Sequence, residues 1–158
     1  EPMLARKPKE AVMYGIKDVE KCFEDVNVNR VVHLCCGYPR YVDQLEDDVY
    51  KADPNVYFDL APALDNANFD AVSIEDAHRN NDLQLLELFK RKKVILGTVA
   101  IAKTQVETVD DITKRLYQAK EHIDPDRLMT APDCGLGMLS WDTAAAKLKN
   151  LSEAAKRV

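Results

Sequence analysis

The sequence predicts an α/β domain built on a parallel sheet, and three observations carry that expectation. Short apolar runs recur at residues 31–35, 69–75, 94–101 and 128–131. Between them lie longer segments with helical patterning, so strands and helices alternate, which implies parallel strands joined by right-handed crossovers. The third run is apolar along its length, as suits a parallel strand buried on both faces.

Each element follows from local patterning. Residues 1–9 hold Pro2 and Pro8 among charges and read as a loop. Residues 10–25 read as a helix with Ala11, Val12, Met13, Ile16, Val19, Cys22, Phe23 and Val26 on one side, Cys22 being a small buried apolar group. The first strand, 31–35, ends at Gly37 and Pro39. The long connection after it is expected to hold helices at 43–51 and 55–64, with Asp53-Pro54 as a break or cap and Pro62 bending or shortening the second. Its acidic run Glu46-Asp47-Asp48 reads as a solvated face, and Tyr38, Tyr41, Tyr50 and Tyr57 as packing groups or the lining of a pocket. The second strand is followed by a helix at 81–91 carrying Leu83, Leu85, Leu86, Leu88 and Phe89. Thr108 is a good N-cap with Asp110 and Asp111 in the first turn, so a helix is expected from there towards His122. After the fourth strand, Ser140 or Asp142 caps a last helix that reaches about Lys156. No internal repeat or linker divides residues 1–158, which read as a single domain.

Composition narrows the function. Apolar residues make up 46% and charged residues 31% of the 158, enough for one domain with a buried core. A net charge of −5 and a pI near 5.2 argue against non-specific binding to nucleic acid or to an anionic membrane. No apolar run approaches the roughly 18 residues that span a bilayer, and no signal-peptide pattern is visible. Because it begins at Glu1 rather than Met, the chain is expected to be a fragment or a processed product. Cys22, Cys35, Cys36 and Cys134 are too sparse for a disulfide framework, and a cytoplasmic enzyme is expected.

In parallel sheets, function gathers at the carboxyl ends of the strands. Here those ends carry His33-Leu34-Cys35, Glu75-Asp76 and Pro132-Asp133-Cys134-Gly135-Leu136. His33 and Cys35 are two apart and share a face, while Cys36 takes the other. Imidazole, thiolates and carboxylate form a zinc donor set, and their wide separation in sequence points to a site built by the fold. Two thiolates and a carboxylate outweigh the charge of the metal. Such a zinc is poor at acidifying water and better at holding a substrate thiol as a nucleophilic thiolate, so the expected chemistry is alkyl transfer to sulfur. Glu75 is the hardest donor and the one expected to yield its place to that sulfur. Asp76 and Cys36 stand as alternative ligands. Asp133 reads either as an outer-shell partner of a ligand or as the cap of its turn, and His122 as a helix-end or packing group.

Taken in order, His33-x-Cys35, Ser73-Ile74-Glu75 and Pro132-Asp133-Cys134-Gly135-Leu136 resemble the zinc-ligand motifs of cobalamin-independent methionine synthase. Glu1-Pro2 is similar to that family's Asp-Glu-Pro segment. Ile95-Leu96-Gly97 with Val106-Glu107-Thr108 resembles its seventh strand and following helix, and residues 124–128 resemble the lead-in to its last strand. The resemblance implies a (β/α)8 TIM barrel of which this chain is the later half, from about strand four or five to helix eight. It implies Zn2+ held by His33, Cys35, Glu75 and Cys134, homocysteine as the thiol acceptor, and methyltetrahydrofolate or a similar methyl donor. Four expected strands agree with half of an eight-stranded barrel of about 250 residues.

Three departures bear on the donor. Ala100 and Ala102 stand where the family carries the Asp and His that handle its proton, Arg6 replaces an acid that contacts folate, and the loop after Cys35 is longer. They resemble the short, core-type relatives, some of which use other donors or another thiol, such as a coenzyme M-type thiol. His78, just past Glu75, is the candidate replacement proton donor and a catalytic group beside Glu75; Lys103 is a candidate contact for an acidic donor. A half-barrel leaves two open edges and an apolar interior, so self-association or pairing with the missing half is expected. A third reading is an inactive fragment in which zinc only stabilises the fold.

Overall fold

The computed structural model describes residues 2–37, 41–43 and 52–158. The chain opens with α1 (Pro2–Arg6), α2 (Pro8–Glu10), a π-helical turn (Ala11–Gly15) and α3 (Ile16–Lys21). The first residues are therefore helical rather than a loop. Pro2 and Pro8 open their helices, where a missing N–H costs nothing. The wider π turn shifts the helical phase expected from residue 10 onward. Ala11 and Ile16 are buried, but Val12, Met13 and Val26 are exposed, and Cys22 is exposed with its thiol against the Asp18 carbonyl.

Among the described residues β1 (Val31–Leu34), β2 (Ala71–Ile74), β3 (Lys93–Val99) and β4 (Leu128–Pro132) form one sheet in that order, all parallel. The connections carry α4 (Val56–Asn66), a 3-10 helix (Leu83–Leu88), and α5 (Val109–Lys120) with a short 3-10 turn (Pro125–Arg127); α6 (Trp141–Ala155) follows β4. Pro62 lies inside α4, which runs on to Asn66. The expected helix at 81–91 is the short 3-10 segment instead. Asn81 is tied back to the Asp76 carboxylate and the Glu75 carbonyl, and the segment starts only when the Asp82 side chain accepts the Gln84 N–H. Thr108 and Ser140 cap α5 and α6, accepting the N–H groups of Asp111 and Thr143. The expected helix at 43–51, the acidic run Glu46-Asp47-Asp48, and Glu1, Tyr38, Pro39 and Tyr50 lie outside the described residues, apart from Asp43 itself.

Alternation along the strands sorts the sheet into two faces. Register partners Val32, Val72 and Val94, and Leu34, Ile74 and Leu96, are buried in the main core with Tyr57, Leu60 and Leu64 of α4. A second cluster joins Val99 to Ile112 and Leu116 of α5 and Leu151 and Ala154 of α6. The row His33, Ser73, Ile95 and Met129 lies on the opposite face, where Met129 is 48% exposed. Trp141, at 84% exposure, and Leu148, at 45%, lie one heptad apart on α6. No helix among the described residues is long and apolar enough to cross a membrane.

One ion pair anchors the loop after β3. Lys147 of α6 is fully buried and donates to both Glu107 carboxylate oxygens (3.0 and 2.8 Å) and to the Gln105 carbonyl (2.5 Å). Glu107 also accepts the Ala100 N–H at 2.9 Å. Removing the carboxylate strands a buried ammonium. Glu107→Ala is expected to destabilise the chain by about 3 kcal/mol in urea unfolding, the low end for a broken buried pair because Glu107 is partly exposed. Pairing Glu107→Gln with Lys147→Met should recover most of that loss.

Candidate metal centre

The centre forms where β1 and β4 leave the sheet. His33 and Ser73 are register partners on adjoining strands, and the His33 Nδ1 lies 3.0 Å from the Ser73 Oγ. With the Nδ1 hydrogen given to Ser73, Nε2 carries the lone pair that a metal requires. Four residues past His33, the backbone turns at Gly37, whose φ of 131° strongly favours glycine. The Gly37 N–H hydrogen-bonds the Cys35 sulfur. Cys134 arrives from the end of β4, and donor atoms of His33, Cys35 and Cys134 all lie within 4.8 Å of one another. A tetrahedral zinc with two sulfurs and one nitrogen sets donor separations of about 3.6–3.8 Å, so this trio fits after a contraction of roughly 1 Å.

Electrostatics favour a cation there. Burial raises the Cys35 thiol above its ordinary range; the Gly37 N–H opposes this, and the nearby Cys134 and Glu75 add to it. Burial also lowers His33, which keeps its imidazole neutral near pH 7. A divalent cation would relieve the cost of charging the sulfurs and accept the neutral nitrogen.

The other sequence-predicted groups divide clearly. Glu75 is buried at 4% exposure, and its charge raises both Cys35 and Asp133, yet it is not part of the 4.8 Å trio. Asp76 cannot take its place, because both its oxygens accept from the Arg115 guanidinium at 2.7 Å. Cys36 is fully buried in the core on the helix side, beside Tyr57, so it is no substitute for Cys35. Tyr57 is a packing group whose hydroxyl donates to the Leu34 carbonyl, whereas Tyr41 is exposed. The Asp133 carboxylate accepts the N–H groups of Asp76 (2.9 Å), Ala77 (2.9 Å) and His78 (2.8 Å), so it caps the exit of β2 rather than its own turn. Burial raises its pKa to about 6 against the pull of those amides. The His78 Nε2 accepts the Ile101 N–H at 3.2 Å. Ala100 and Ala102 are buried at the end of β3, Lys103 is half-buried, and Arg6 is exposed on α1. His122 is bound to Glu87 at the other end of the sheet.

Sequence reasoning did not single out Ser73 as the partner of His33; the signal was its place two residues before Glu75, level with the imidazole once the strands pair. Ser73→Ala is expected to weaken zinc binding about 10–100-fold in chelator competition, while Ser73→Thr, which keeps the hydroxyl, should lose less.

Comparison with known proteins extends this picture. The family described as cobalamin-independent synthase, catalytic domain, matches residues 48–157. The methionine synthase of Sulfurisphaera tokodaii is 26% identical over 152 residues, covering 95% of this chain and 39% of that protein. That of Saccharolobus islandicus is 27% identical over 162 residues, covering all of this chain and 42% of that protein. A B12-independent methionine synthase from a Shewanella species, solved in complex with selenomethionine, superimposes with a TM-score of 0.88 at 28% identity, covering 99% of this chain and 46% of the other. The chain thus spans about two fifths of the length of the curated relatives it matches. Because the family model matches residues 48–157, more than half of the chain, the chain belongs to the cobalamin-independent synthase catalytic-domain family.

Proposed function

We propose that this chain supplies the zinc-binding part of an enzyme that moves a methyl group onto the thiol of homocysteine, giving methionine. The observation that carries the reading is the convergence of His33, Cys35 and Cys134 within 4.8 Å at the ends of two strands. Family membership and relatives named methionine synthase support the product. Methyltetrahydrofolate or a similar compound is the donor in this reading.

Bound zinc supplies a Lewis acid that lets the acceptor thiol ionise near neutral pH while remaining nucleophilic. His33 offers a neutral imidazole oriented by Ser73. Cys35 and Cys134 offer thiolates from opposite edges of the sheet. Glu75 would be the fourth donor, and as the hardest of the set and the one apart from the trio it would be the one to yield its place to a sulfur. In the transfer, a sulfur–methyl bond forms as the donor's nitrogen–methyl bond breaks; the thiol proton leaves for solvent and the donor nitrogen gains one. His78 is the sequence-based candidate for that last proton. Because its Nε2 already accepts the Ile101 N–H, we assign it to holding the β2 and β3 exits together.

A second reading keeps the zinc and the thiol chemistry but changes the donor or the thiol. It is favoured by Ala100 and Ala102, two buried methyl side chains where the resemblance puts a proton-handling pair. Assays offering methyl-folate and simpler methyl compounds to the same protein, with homocysteine or a coenzyme M-type thiol, separate the two readings.

We further propose that the chain is the later half of a (β/α)8 barrel. The parallel sheet, the exposure of Val31 (44%) and Met129 (48%) on the two edge strands, and the coverage of 39–46% of longer relatives support it. Sedimentation should then detect self-association or a stable complex with a supplied first half. A monomer that binds neither and exposes no apolar surface to a hydrophobic dye would contradict the half-barrel.

Zinc retention tests the centre. Cys134→Ser is expected to weaken zinc binding by more than the ~100-fold upper range for loss of an outer-shell partner. Cys36→Ser should keep the affinity and lose only stability. Homocysteine added to the zinc-loaded protein should release a proton and alter the metal spectrum; if it does neither, the enzyme reading fails for this chain.

A further inference from the structure

We propose that Asp133 is a positioning residue that spans the sheet to fix Glu75 relative to Cys134, and that Gly97 exists to let it pass. The proposal rests on the metal-centre reading above and adds to it a cause for the centre's spacing.

The sheet order is β1-β2-β3-β4, so the exits of β2 and β4 are separated by β3. Asp133 follows β4, yet its carboxylate accepts three consecutive backbone N–H groups, those of Asp76, Ala77 and His78, in the segment that follows β2. The carboxylate must therefore cross over β3. It crosses at Gly97, where a Cβ would collide with the Asp133 Oδ1, lie 2.9 Å from the Asp133 Cα and come within 3.1 Å of the Ile74 carbonyl oxygen. The β3–β4 ladder also shifts register between Gly97 and Val99, and the Asp133 N–H donates to the Val99 carbonyl at 2.9 Å. Backbone and side chain of one residue thus pin β4 to β3 and, beyond it, to the β2 exit.

The two ends of this span are the residues beside it. Glu75 immediately precedes the captured amides, and Cys134 immediately follows Asp133. The segment is also fastened from its far side: His78 accepts the Ile101 N–H, and Asn81 holds the Glu75 carbonyl at 2.7 Å. At 1% exposure Asp133 is sealed from solvent, which suits a brace rather than a group that meets substrate. A donor in the position proposed for Glu75 would need a fixed place relative to Cys134, and a rigid backbone beneath it would provide one.

Asp133→Asn tests the brace with little change of shape. The amide oxygen can keep two of the N–H partners, but its NH2 then faces the third donor. Gly97→Ala tests it independently, by forcing the carboxylate and the Asp133 backbone away from β3 without altering the carboxylate's chemistry. Two readouts on the folded full chain apply. In metal-free protein, amide hydrogen exchange at Asp76, Ala77 and His78 should speed by tenfold or more in either variant, with distant core amides unchanged. In either variant, zinc affinity by chelator competition should fall about 10–100-fold below that of the wild type, and the cobalt(II)-loaded spectrum should change in its ligand-field bands while the thiolate bands persist. Unchanged exchange at those three amides overturns the proposal, as does unchanged zinc affinity in variants of a wild type that binds zinc. Faster exchange in a chain whose wild type binds no zinc supports the brace and overturns the proposed function instead.

Discussion

The candidate centre depends on the level register of four parallel strands. His33 pairs with Ser73, and Gly97 with Ala131, so side-chain rows run straight across the sheet up to the register shift between Gly97 and Val99, and the strands finish on one rim. Alternation then separates chemistry from packing. Leu34 and Cys36 go to the core, while His33 and Cys35 share the other side. A slip of one residue in β1 would drive the imidazole into the hydrophobic layer and offer Leu34 and Cys36 to the rim. The core residues Val32, Val72 and Val94 therefore specify the site as much as the ligands do.

Charge is arranged along the same division. Two cations near the strand ends are engaged on the helix side, Arg115 with Asp76 and Lys147 with Glu107. The Asp133 carboxylate is held by backbone amides instead. Cys35 and Asp133 are both buried beside the Glu75 carboxylate, and both shift towards their protonated forms. This is an environment whose electrostatic cost a divalent ion would offset.

The sequence made the strands legible because their apolar runs are short, bounded and regularly spaced; each begins or ends within two residues of its expected limit. The caps at Thr108 and Ser140 were equally plain, being local chemistry. The N-terminal helices were not, since proline reads as a breaker unless one knows that it stands in a first turn. Nor was the exposure of Cys22, because a π turn changes the phase on which an amphipathic reading relies. At the site, residue type and strand-end position named His33, Cys35 and Cys134. The role of Asp133 was illegible for a different reason: its partners are 55–57 residues away, and no local pattern records a side chain crossing a neighbouring strand.

The single tryptophan of the chain stands at the mouth of α6 with 84% of its surface in water. Its indole is already solvated in the folded state, so its emission is expected to be red-shifted from the outset and to change little when the core melts. The same placement makes it a lamp on one corner of the molecule. A blue shift would report another surface arriving over that corner, and would do so without any added label.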